Sequence, residues 1–192
     1  MDSENLEKHR KEKIKFIHYT ENPFKFNPFF KYYISGPFYS KPDGLWFSVE
    51  GLPNDINWKE WCHQEEFRIK NLTYLTEIYF CENSNILWLK NRKEIKEFEK
   101  NFIFVHPMLK IRYDVSKSFV YNPKYHKKIN WEQVKKKWDG IIIAPFNDFM
   151  RWNCVNLWYD PWDCASGCIW NLESIKDVSE SYRAGEVLTE SQ

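Results

Sequence analysis

The residues best suited to chemistry in this chain are one histidine, several tryptophans and a few late carboxylates. His18 sits in "IKFIHYT". A strand histidine that points inward can donate a hydrogen bond to a ligand hydroxyl while the backbone holds its other nitrogen. The alternative is a half-buried histidine satisfied within the fold. Trp46 and Ser48 lie in "GLWFSVEG", and Trp58 and Trp61 in "WKEWCHQEEF". Indole faces make floors for flat ligands such as bases and nicotinamide. Asp160, Asp163 and Glu173 lie in or just beyond "LWYDPWDCASGCIWN", and "WDGIIIAPFND" adds Asp148. A carboxylate there can stabilise positive charge developing on a substrate. It can equally be a turn residue that accepts from backbone amides.

Other chemistries fit less well. The five cysteines are Cys62, Cys81, Cys154, Cys164 and Cys168. Cys164 and Cys168 are too widely spaced for a tight zinc knuckle, and no histidine near them completes a set of four, so no metal is expected. The odd count and the absence of an apolar leader point to a reducing, cytoplasmic (intracellular) setting. No stretch reaches the ~20 apolar residues of a membrane span, so no membrane partner is expected. The formal net charge of +1 gives no broad signature for nucleic acid. Two local runs are basic, "KHRKEK" (8–13) and "KYHKKINWEQVKKKW" (124–138), and both suit solvated faces.

These residues have to be held by elements legible in the pattern. Residues 1–13 read as a flexible charged N-terminus. Ile14–Thr20 partly alternates and reads as a strand. Residues 21–44 are broken by proline and glycine yet rich in rings, which suits a long docked loop bordering a site. "GLWFSV" is a second strand, and Asn57 is placed to cap a helix over 58–67. Residues 72–81 alternate as a strand. Ile95, Phe98 and Phe102 recur at helical spacing over 91–102. The spacing predicts another helix over 129–140, stopped by Gly140. Strands are expected at 141–145, 153–159 and 166–171, with a flexible C-terminal tail over 178–192. The sum is about six strands and three helices. The expected class is α+β: one domain over 14–177 with a split mixed sheet and flanking helices. At 19% aromatic, its core has to be built on rings.

Three segments, "IHYT", "GLWFS" and "EWCH", together resemble the ADP-ribosyltransferase superfamily, in the branch of the poly(ADP-ribose) polymerases and diphtheria toxin. That family opens its site with a histidine strand. A strand of the type glycine–apolar–aromatic–Phe–small follows, and then a helix with an aromatic beside a cysteine. The match covers residues 14–67. The resemblance implies a domain with an NAD cleft between the halves of its sheet. NAD would be the substrate, split with release of nicotinamide. His18 would bind the adenosine-side ribose, the backbone of Tyr19 would hold the carboxamide, and Thr20 would also belong to the NAD-binding set. Trp46 would replace the usual tyrosine beside the nicotinamide, Ser48 would line the pocket and Trp61 would stack, with Trp58 as the alternative ring.

The family usually places a catalytic glutamate on a late strand, and with "SGCIWN" aligned as that strand the glutamate's position is apolar or glycine. Asp163, just before "SGCIWN", is the first choice to act catalytically with His18; Glu50, Glu173 and Asp160 come next. The implied activity is transfer of ADP-ribose to a macromolecular acceptor, a protein or a nucleic acid. Two alternatives stay open: an NAD glycohydrolase of the same fold, and a non-catalytic module binding a nucleotide or peptide.

Overall fold

The computed structural model describes residues 14–32, 41–105, 127–153 and 158–185. Expectations for residues 1–13, 33–40, 124–126, Cys154 and 186–192 lie outside the described residues.

The fold is α+β, a mixed open sheet of eight strands with four helices among the described residues. The strands are β1 (Lys15–Thr20), β2 (Leu45–Glu50), β3 (Tyr74–Phe80), β4 (Ile86–Leu89), β5 (Ile103–Val105), β6 (Lys127–Ile129), β7 (Gly140–Ile143), β8 (Ser166–Ile169), β9 (Ile175–Val178) and β10 (Tyr182–Arg183). The helices are α1 (Trp58–Gln64), α2 (Arg92–Phe102), α3 (Trp131–Lys135) and α4 (Asp148–Asn153). The sheet runs β10-β3-β1-β2-β8-β7-β4, with β9 also paired to β3, while β5 and β6 form a separate ribbon. Among the described residues, only the β4–β7 pair in this sheet is parallel.

The centre of the sheet is buried on both faces. All four residues of β7 are buried, as the unbroken "GIII" run requires. Leu45, Phe47 and Val49 of β2 enter one core with Ile78, Ile142 and Ile169. The other core collects Ile141, Ile143, Trp158, Tyr159 and Trp162 with Ile95, Phe98 and Phe102 of α2. The i, i+3, i+7 spacing in "EIKEFEKNF" therefore does what it predicts. Asn91 caps α2 by accepting from the amides of Lys93 and Glu94. Asn57 caps α1 in a reciprocal capping box with Glu60.

Three local expectations are corrected. The helix expected over 129–140 is shorter, because Ile129 closes β6 against Ile103 and Asn130 caps a helix that covers only 131–135. Gly140 is not its stop but the first residue of β7, opposite Ile86 and Ile169. Of the strand expected at 153–159, Asn153 ends α4 and Trp158 and Tyr159 sit in turns, while 154–157 lie outside the described residues. Past Asp177, where a loose tail is expected, Val178 pairs with Ile78 and β10 pairs with Leu75 and Tyr74.

Candidate active site

The sheet forks where the candidate residues lie. β1 and β2 pair only from Lys15↔Glu50 to Ile17↔Ser48. Beyond that point β1 stays on β3, through His18↔Thr76 to Thr20↔Tyr74. The first half of β2 stays on β8, from Leu45↔Ile169 to Ser48↔Ser166. The two strands thus part after Ile17, and the His18 ring spans the gap, its Nδ1 lying 2.7 Å from the Trp46 carbonyl oxygen. A cavity of about 370 Å³ opens there. That is within the size range of small-molecule sites.

Five of the expected residues line this cavity: His18, Tyr19, Trp46, Ser48 and Asp163. They come from two strands and a late turn far apart in sequence. Ser48 does more than line it, since its hydroxyl accepts from the Trp58 amide at 3.0 Å and fixes the start of α1. That contact selects the aromatic wall. Trp58 faces the cavity, and Trp61 stacks behind it at 5.2 Å and 17° without lining the space. Thr20 is not among the lining residues, and its Oγ1 is buried without a hydrogen-bond partner. Asp148, Asp160 and Glu173 are exposed and away from the cavity. Glu50 does not line it either, but accepts a 2.6 Å hydrogen bond from the Tyr19 hydroxyl. Burial, then the Glu50 charge, pushes the Tyr19 phenol up, so it stays protonated as the donor.

Asp163 is held by its neighbours in the chain. The Ala165 amide donates to Ile56 and its carbonyl accepts from Val49, each at 3.0 Å. Trp162, fully buried, packs on Trp46 at 4.9 Å between ring centres. Four polar lining residues are not among the candidates the sequence offers: Lys41, Arg68, Asn71 and Ser166. The Lys41 ammonium lies 3.6 Å from Asp163 Oδ2 and 5.0 Å from the centre of the Trp46 ring. Arg68 reaches the cavity from a left-handed backbone (φ 48°), a conformation with no reliable signature in a non-glycine residue.

The electrostatics of His18 follow from its bond. A carbonyl can only accept, so Nδ1 carries the proton and a neutral ring leaves Nε2 as an acceptor. Towards a ligand hydroxyl His18 is thus an acceptor, the reverse of the donor expected from sequence. Burial pushes its pKa below the ordinary 6.5, with the Trp46 bond opposing. Between that lowered value and 6.5 the unfolded chain takes up a proton that the folded protein refuses. Stability contributed by a neutral His18 is therefore present above 6.5 and lost as pH falls below it, by at most about 1.4 kcal/mol per pH unit. Urea midpoints at about pH 7.5 and about pH 5.5 test this. His18→Gln is expected to shrink the acid-side loss, and an unchanged loss would move its origin elsewhere.

The thiols near the site are poor nucleophiles at neutral pH. Burial pushes Cys62 up to about 11 and raises Cys164 and Cys168 as well. Among the described residues no group of three or more His, Cys, Asp or Glu is placed to hold a metal ion. Nor is any described helix long and apolar enough to cross a membrane.

Compared with known proteins, the chain matches no family model, no curated protein and no solved structure.

Proposed function

We propose that this protein is an intracellular ADP-ribosyltransferase that binds NAD in the forked cavity, releases nicotinamide and passes ADP-ribose to a macromolecular acceptor. The observation that carries this reading is the fork itself. Among the described residues it gathers an imidazole acceptor, two indoles and one carboxylate around a single cavity.

Each part has a task in breaking an N-glycosidic bond. The Trp46 and Trp58 rings hold the flat leaving group. Nε2 of His18 accepts from a ribose hydroxyl and fixes the sugar. Asp163 faces the anomeric carbon as it gains positive charge, an arrangement that is more effective in a half-buried site than in water. A protein side chain is the default acceptor. A nucleic-acid acceptor would draw on the basic run that begins at Lys124.

The test is nicotinamide release from NAD by the purified chain, with and without a cell lysate. Release only with lysate supports transfer to a target in it, and release without lysate supports hydrolysis or self-modification. No release, together with no quenching of tryptophan fluorescence by NAD, would overturn the reading. Trp58→Ala is expected to weaken NAD binding by about 1–3 kcal/mol, the magnitude of base–aromatic stacking. Titration calorimetry measures it. Trp61→Ala should cost less, because Trp61 supports Trp58 from behind.

A further inference from the structure

Among the described residues Lys41 is the lysine that lines the cavity, and nothing in its sequence context suggests a task. Its ammonium sits between the two groups that the proposed function uses most. Asp163 Oδ2 is 3.6 Å away and the Trp46 ring centre 5.0 Å. The side chain is only 33% exposed. A nicotinamide held beside Trp46, with its anomeric carbon turned towards Asp163, would bring that carbon within reach of the Lys41 nitrogen.

We propose that Lys41 is a resident acceptor, taking one ADP-ribose from NAD onto its own amine inside the cavity. This rests on the NAD reading above. The step balances within the site. The ammonium gives one proton to Asp163, which passes it to solvent. The free amine attacks the anomeric carbon and forms a C–N bond as the bond to nicotinamide breaks. The bonding electrons leave on the nicotinamide ring nitrogen, which departs neutral, and the lysine becomes a secondary ammonium carrying ADP-ribose. Burial favours the free amine by pushing the Lys41 pKa down, while the Asp163 charge pulls it up. The cationic nicotinamide of bound NAD adds to the push. An amine lodged beside the reacting carbon also has an entropic advantage over any acceptor from solution.

The experiment is intact-mass measurement and peptide mapping of the full chain after incubation with NAD, with nicotinamide followed in the same samples. The expected result is one ADP-ribose on Lys41 with release of an equal amount of nicotinamide, and no adduct at that position in Lys41→Gln. A parallel incubation with free ADP-ribose controls for sugar condensation, and an equal yield of adduct there would overturn the proposal. Nicotinamide release with Lys41 unmodified would overturn it and leave the NAD reading standing. Absence of both release and adduct would overturn the two together. Mapping of the wild-type chain decides the matter even if the variant folds poorly.

Discussion

Asp163→Asn is expected to lower nicotinamide release from NAD by about 10²–10³-fold while leaving NAD affinity nearly unchanged. The substitution keeps the shape of the side chain and removes its charge. NAD itself carries a positive nicotinamide, but the extra charge that appears on the ribose exists only at the transition state. A group that answers that charge acts on turnover more than on binding. In the proposed mechanism Asp163 is that group. It lines the cavity, and the backbone on its C-terminal side is tied to both Ile56 and Val49. Asp160 supplies the contrast, because it is exposed and lies outside the cavity, so Asp160→Asn should leave turnover near that of the parent. Single-turnover rates and calorimetric NAD affinities separate the two effects. Full turnover in Asp163→Asn would remove Asp163 from the mechanism.

The parts of this site that were legible in the sequence are those set by short-range pattern. His18, Trp46 and Ser48 sit on strands whose aromatic and β-branched residues announce them. Asn57 caps α1 because an Asn followed three residues later by Glu satisfies both ends of a capping box. What pattern cannot carry is the choice between neighbours on one surface. Trp58 and Trp61 are three residues apart on one helix and equally good rings. The Ser48 hydroxyl on the Trp58 amide, a contact across strand and helix, brings Trp58 to the cavity. Lys41 and Arg68 were invisible for a related reason. Each projects from irregular backbone, and nothing in its local sequence says which cavity it will meet. Gly140 failed differently. It follows an amphipathic run and reads as a helix stop, yet Asp139 beside it binds Asn85 and Asn171, which starts a strand there instead. The signal for that is long-range.

Gly44→Ala is expected to destabilise the fold by about 3 kcal/mol, at the upper end of the usual cost of overpacking. At about 2–4 °C per kcal/mol for a chain of this size, the melting temperature should fall by roughly 6–12 °C. Gly44 opens "GLWFSVEG", and on sequence alone its role is only that of a family-like signature or a turn. The fold supplies a packing reason. A methyl group at Gly44 would lie 2.4 Å from the Ile169 carbonyl oxygen and 2.7 Å from the Cys168 sulfur. The first contact is with backbone in β8, which cannot swing aside as a side chain can. Relief would require β2 and β8 to move apart at Leu45↔Ile169, one end of the pairing that carries Trp46. Stability and NAD affinity should therefore fall together in this variant, in contrast to Asp163→Asn. Thermal unfolding and calorimetry on the same sample test the coupling. A Gly44→Ala protein as stable as the parent would mean that β8 yields easily at Ile169, and would argue against a rigid wall on the Trp46 side of the fork.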